Sequence, residues 1–415
     1  MKPLRWPHSL APTVVALVAF GVLLAGCSSN GKPAAGATGS PQSSSVKTPT
    51  GSVIKIGVIG SNSGPQASSA SQGATVGPAW AEYVNNDLGG IHGHRVEVVS
   101  VDDKGDPVST QAAAKQLISD GVVAVVAAAD NLINTSADSM IAAKIPVVSG
   151  TANFPQWYTQ VGLFPTVTDV LSGLQAQVLV AKRFGHAKVF ANLYCAEISA
   201  CGQAGPTLQA AASKAGIGYV SFAVSSTATS YTAQCVALAQ HKVDYAQLNF
   251  TSAAAAKFVQ DCQAQNYNPT WGTSEQAIGA DFLELPDFTA YGPAYAFPSV
   301  ADAPVVQTFR NAMTKYAKND NWHEGTASFA WSGLEAIRKA LSGITATTTV
   351  TGATITVGLN TFQNENLDGL LANKITFTAG KPTPFGSHPC AFVVGVKGGK
   401  TITPDGLTPL CPGAN

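Results

Sequence analysis

Residues 54–60 read Ile54-Lys55-Ile56-Gly57-Val58-Ile59-Gly60, a β-branched run closed by glycine, and its alternation with the segments after it decides the fold. Short apolar runs at 95–101, 122–129 and 145–149 alternate with helical patterns at 74–86, 108–119 and 135–143. Alternation of this kind makes a parallel sheet with helices on both faces. Local signals agree: Asp106-Pro107 is a helix cap followed by proline at the first helical position, and Asp120-Gly121 stops that helix before the next strand. The pattern then restarts, with strands at 188–194, 219–224, 243–250 and 270–273 and helices at 203–215, 231–240 and 253–265. The expectation is an α/β chain of two doubly wound parallel-sheet lobes. Residues 299–376 return to helical patterns, clearest at 305–318 and 326–341, and residues 375–403 are rich in glycine and β-formers. A third complete series is missing, so these segments complete the two lobes: 53–167 with 299–376, and 168–298 with 377–415. Crossings near Thr166, Phe297 and Ile375 would form a three-stranded hinge.

Ahead of the globular part, Lys2 and Arg5 precede an apolar core from Val14 to Leu24, too short to span a bilayer. Small residues close it, as in a secretory signal occupying 1–26. The ending Leu24-Ala25-Gly26-Cys27 resembles the bacterial lipoprotein box, which implies that Cys27 is lipidated and becomes the first residue of a chain tethered outside the cytoplasm. The competing reading is an ordinary signal peptide with a chance cysteine. Residues 27–52 are mostly Ser, Gly, Ala, Pro and Thr, a flexible stalk with a reach of about 25–30 Å. Twenty-four basic residues balance 24 acidic ones, so nothing favours nucleic acid or a polyanionic partner.

Seven cysteines less Cys27 leave six, an even number in an oxidising compartment. Six allow 15 pairings, but their order suggests three local bridges. Cys195 and Cys201 close a short loop, Cys235 and Cys262 sit on consecutive predicted helices, and Cys390 and Cys411 flank a hairpin-like stretch. No Cys-x-x-Cys spacing or His/Cys cluster supports zinc or thioredoxin-like chemistry, and neither metal nor cofactor is expected.

The 54–60 run, then Ser63-Gly64-Pro65, Gly89-Gly90-Ile91-His92-Gly93 and Asp102-Asp103-x-x-Asp106-Pro107, resembles in order and spacing the type I periplasmic binding proteins, specifically the leucine/isoleucine/valine-binding branch of ABC importers. The specific motifs thin out after Asn153. Such folds hold ligands beyond the carboxyl ends of the strands, where helix N-termini offer free N–H groups. Two lobes facing across a hinge enclose a solute by closing on it.

The resemblance implies ligand positions at Ser63, at Asp130-Asn131 after the third strand, and at Thr151-Ala152-Asn153 after the fourth. In the second lobe the family's aromatic contacts fall near Cys201 and Thr251, with Phe250 the nearest ring, and its ammonium-binding carboxylate falls on Glu275. Phe329 and Trp331 are further candidates, as pocket wall or as core. Glu275 reads equally as a solvated loop carboxylate, and Thr151 and Asn153 as turn formers. Asp130 stands where the family presents hydroxyls and would repel a ligand carboxylate, so branched-chain specificity does not follow.

Asp102, Asp103 and Asp106 read better as strand end and helix cap than as acid/base machinery. Enzyme motifs fail on spacing: Ser63 is one position late for a nucleophile elbow, Val394 replaces the leading glycine of a phosphate loop ending at Gly399-Lys400-Thr401, and Ala327 stands where a zinc-protease helix after His323-Glu324 needs histidine. Two classes remain. One is a monomeric, lipid-anchored binding protein that delivers a small-molecule ligand to an ABC permease; the other is an extracytoplasmic sensor reporting occupancy to a membrane partner.

Overall fold

The computed structural model describes residues 48–412 other than 65, 129–132, 153, 198 and 324. Cys27, the signal segment, Asp130, Asn131 and Asn153 lie outside the described residues.

The first sheet contains β1 (Gly51–Gly60), β2 (His94–Asp102), β3 (Ala124–Ala127), β4 (Val147–Val148) and β5 (Leu163–Phe164), all parallel, in the order β2-β1-β3-β4-β5. Central β1 is buried on both faces, as a near-continuous apolar run predicts. Gly57 is required there, since a Cβ would lie 2.8 Å from the Leu117 side chain on the covering helix Pro107–Ser119. That helix starts as the sequence indicates: the Asp106 carboxylate accepts the N–H groups of Val108 (3.0 Å) and Ser109 (2.9 Å). The returning helices Pro304–Tyr316 and Ala327–Ala340 pack on the helix Gly73–Asp87, and the latter also covers β3. The core between them is aromatic: Phe309 lies edge-on to Trp331, Trp322 and Phe297 at centroid distances of 5.2, 5.6 and 5.2 Å.

The second sheet repeats the strand order of the first. Strands β6 (Val189–Cys195), β7 (Gly218–Val224), β8 (Tyr245–Asn249), β9 (Thr270–Gly272) and β10 (Thr289–Ala294) run β7-β6-β8-β9-β10 in parallel. Beyond β10 the edge is extended by β11 (Phe392–Lys397) and β12 (Lys400–Ile402), both antiparallel, so this sheet is mixed rather than purely parallel. The hairpin of β11 and β12 depends on Gly398 and Gly399, both in the left-handed region. All three disulfides form as the cysteine order suggests: Cys195–Cys201, Cys235–Cys262 and Cys390–Cys411, with Cα separations of 5.8, 5.1 and 4.2 Å.

Between the sheets the chain crosses three times, and the crossings bond to one another. Thr168 N–H donates to the Tyr295 carbonyl (3.3 Å) and its hydroxyl to that of Cys390 (2.6 Å). Asp169 N–H donates to the His388 carbonyl (3.2 Å), and Asn373 reaches Cys390 with its side-chain amide (2.8 Å). The two sheets are thus joined at one end by a hydrogen-bonded bundle. Among the described residues no helix is long and apolar enough to cross a membrane.

Candidate functional site

The carboxyl ends of the parallel strands in both lobes carry the loops that the sequence nominates. After β4 the backbone turns sharply: Ser149, Gly150 and Ala152 take φ values of 63°, 115° and 49°. Left-handed geometry at a serine and an alanine costs energy that the surroundings must offset. Here the Trp157 ring lies so close to Gly150 that a Cβ would sit 2.2 Å from it, and the Ser149 hydroxyl is tied to the Phe329 carbonyl at 3.1 Å. Thr151 and Ala152 on this loop are buried. The loop is therefore held in one shape from beneath.

Facing it from the second lobe, Glu275 follows β9 at the start of a short 3-10 turn, Glu275–Ala277. Its residue exposure is only 8%. The Ser328 hydroxyl donates to Oε1 at 2.5 Å, and Ala296 N–H donates to Oε2 at 3.3 Å. Ser328 lies in the first turn of the first-lobe helix Ala327–Ala340, so the hydrogen bond joins the lobes. A second bridge runs beside it, from Gly325 N–H to the Ile278 carbonyl at 3.3 Å. Among the described residues neither oxygen of Glu275 meets a cationic side chain. Burial therefore pushes its carboxyl up to about 8, a rise only partly offset by the Ser328 hydroxyl and the Ala296 and Tyr295 N–H groups. Gln72 steadies the same region, accepting the Thr326 N–H (3.3 Å) and hydroxyl (3.2 Å) and so tying the N-terminal ends of helices Gly73–Asp87 and Ala327–Ala340.

The remaining candidates separate. Ser63 is exposed and spends its hydroxyl on Asp102 Oδ2 (2.6 Å), closing the turn at the ends of β1 and β2. Cys201 has no free thiol, because its sulfur is bonded to Cys195. Phe250 leans edge-on against Phe258 in the core (5.9 Å), and Thr251 precedes the helix Ser252–Gln263, accepting the Ala255 N–H at 2.9 Å. Trp331 is core rather than cleft wall, packed between Tyr83, tilted against it, and Phe309, edge-on to it. Phe329, fully buried with Ala152, Trp157 and Ala296, backs the 149–152 loop from below. Ser328, Ala296 and Gln72 carry no local signal in the sequence that would have nominated them. Among the described residues no three His, Cys, Asp or Glu side chains gather as a metal site.

This arrangement, two matching α/β sheets hydrogen-bonded at one end with strand-end loops facing each other, coincides with a family model described as periplasmic binding protein, which matches residues 53–400. The chain belongs to that family. The same architecture recurs in solved structures. A branched-chain amino acid ABC transporter protein from Thermus thermophilus with bound valine is 17% identical, with a TM-score of 0.70 over 87% of this chain and 97% of that one. A fatty acid ABC transporter substrate-binding protein from Thermomonospora curvata is 17% identical (TM-score 0.69, 87% and 94% covered). The leucine-binding protein LivK from Thermotoga maritima is 14% identical (TM-score 0.68, 86% and 99% covered). No curated protein sequence matches this periplasmic binding protein. At such identities the likeness speaks to the fold, and the solute must be argued from the cleft.

Proposed function

We propose that the protein is the extracytoplasmic substrate-binding component of an ABC importer, anchored through lipidated Cys27 and its stalk to the outer face of the cytoplasmic membrane. It acts as a monomer without cofactor and hands a small polar solute, an amino acid or a related amide or carboxylate, to a membrane permease. Lobe one comprises 53–167 and 299–376, and lobe two 168–298 and 377–415.

The observation that carries this reading is Glu275, a buried carboxyl at the meeting of the lobes with hydrogen-bond donors but no cation of its own. Such a group has acceptor capacity to spare, and enclosing it as a carboxylate is favourable only when it is paired. The cavity beside it measures about 20 Å³, room for a water molecule but not for an amino acid. Solute entry therefore requires the lobes to part about the crossing bundle, the motion of a hinge-closing binder. The solved relatives support transport, and they span amino acids and fatty acids; a carboxyl acceptor suits a donor-bearing solute better than a fatty acid.

Mass spectrometry of small molecules released on unfolding would identify the solute, and calorimetry on the refolded chain would measure its affinity. Glu275→Ala should weaken that affinity by about 3 kcal/mol, as for truncating one partner of an enclosed charge pair. Unchanged affinity would remove Glu275 from the site.

A further inference from the structure

The surroundings of Glu275 allow its chemistry to be taken one step further, on the reading that the cleft captures a solute. Its cavity is shared with Ile278, Pro298, Ser299, Trp322, Ala327 and Ser328, none of which carries a charge. Among the described residues the titratable groups that face the carboxyl group are two: Tyr295 on the crossing segment, and His323 on the opposite wall, whose Nε2 lies 3.3 Å from the Asp320 carboxylate. The Tyr295 backbone N–H is hydrogen-bonded to the Glu275 carboxyl group, while among the described contacts neither the Tyr295 phenol nor the His323 ring is. Among the described residues its donors are a serine hydroxyl and the backbone N–H groups of Ala296 and Tyr295, all neutral. A carboxylate taken from water into such a setting gains too little from neutral donors to offset its lost hydration, and takes up a proton instead.

We propose that Glu275 is a proton-exchanging acceptor: bridged to Ser328 it is a neutral carboxylic acid, and a solute that presents a cationic amine to it drives that proton out to water. The exchange balances. The only bond broken is the O–H of the acid; the carboxylate pairs with the ammonium, and water takes the proton. A neutral amide or hydroxyl solute would bind the acid without releasing a proton. Ser328 is the positioning residue, because its hydroxyl holds the carboxyl group across the lobes and stabilises the charged form.

The titration of Glu275 near pH 8 has the same cause, burial without a cation. Below that pH the affinity for a cationic amine should rise about tenfold per pH unit, since one proton is exchanged per solute.

The test begins with no solute added, on the full chain freed of bound molecules by dialysis in denaturant and refolded with its disulfides intact. Carboxyl infrared or ¹³C spectra, taken as the difference between wild type and Glu275→Gln, should show one acid persisting at neutral pH and ionising near pH 8. Ionisation in the ordinary carboxylate range overturns the inference. Ser328→Ala should move that midpoint upward, whereas a serine that only packs would leave it unmoved. L-valine is then the calorimetric probe at pH 7, in phosphate and in Tris. Release of about one proton per valine supports the inference, and binding without release overturns it. If valine does not bind, the amino-acid reading of the cleft is what suffers, and the carboxyl titration decides the proton exchange by itself.

Discussion

The two lobes share one strand order but are held together by different means, and the difference shows how much freedom a doubly wound sheet leaves its sequence. In the first lobe the stabilising contacts are aromatic and apolar: Trp80, Trp331 and Phe309 lie fully buried between the sheet and three packed helices. Its buried Glu335 is met by the Trp80 indole N–H (2.7 Å) and by the forked Arg338 guanidinium. The second lobe has an aromatic core too, with Phe258 against Tyr231 and Trp271, but beneath the helix Val170–Arg183 it also buries amides. Gln177 and Asn249 exchange hydrogen bonds at 3.1 Å, Asn249 reaches Asn192 at 2.9 Å, and Gln247 donates to the Thr273 carbonyl at 3.0 Å. Covalent bridges accompany that polar interior, Cys195–Cys201 and Cys235–Cys262 within the lobe and Cys390–Cys411 at its hairpin edge. Those cross-links add to the second lobe a stabilisation that acts by limiting the unfolded chain.

This contrast can be broken in the first lobe by removing its central ring. Phe309→Ala should cost about 3–5 kcal/mol, as expected for a large cavity in an aromatic core. Denaturant titration would show it, and a loss under about 1 kcal/mol would mean that the first lobe does not depend on that cluster. In the second lobe the counterpart is Cys235→Ala with Cys262→Ala, which opens a link across 27 residues. Chain-entropy reasoning gives about 3.5 kcal/mol for a loop of that length. Reduction, which opens all three bridges, should cost at least as much, and a Phe309→Ala deficit should add to the loss from the double cysteine variant, since the two sites lie in different lobes. Strong coupling between the two would contradict separate means of support.

The crossing bundle carries a pH response of its own through His388. Burial holds the His388 imidazole down at about 4, with its Nδ1 against the Val167 carbonyl at 3.1 Å and Asp169 opposing the shift. The folded chain thus keeps His388 neutral while the unfolded chain charges it below about pH 6.5. Stability present at neutral pH is therefore lost as pH falls from about 6.5 towards 4, by about 3 kcal/mol. Chemical denaturation at pH 7 and pH 4.5 should show this decline in wild type and a shallower one in His388→Gln. Equal declines would place the acid sensitivity elsewhere. The smallest effect is expected at the rim of the first lobe, where Thr351 and Thr354 form a capping box on the helix Gly352–Leu359. Thr351→Ala should lower thermal stability by the equivalent of about 1 kcal/mol, and no change would indicate that packing alone sets that helix.

Much of this was legible in the residues, for reasons that are local. Strands such as β1 announce themselves because a parallel strand buried on both faces must be apolar throughout, and Asp106-Pro107 marks a helix start because the backbone N–H groups there need an acceptor. The three disulfides could be read from cysteine order because each closes a short stretch. Less legible was the helix Val170–Arg183, whose buried face carries Ser172 and Gln177 and so blurs the apolar period that would reveal it. Trp331 and Phe329 leaned towards core but stayed open to the cleft, since an aromatic side chain in a helix gives no sign of which neighbour it will face.

Chain composition and pattern by themselves determined that two doubly wound lobes would form, that six cysteines would pair locally, and that Glu275 would stand at a strand end. Those outcomes rest on interactions between residues near in sequence, or on a periodicity that every strand repeats. Only the tertiary structure decided that Glu275 would be enclosed with a serine 53 residues away and no cation, and that the Ser149–Ala152 turn would be held from beneath by Trp157 and Phe329. A carboxyl group's chemistry depends on the water removed from it and the donors set around it, and both are fixed when the lobes meet.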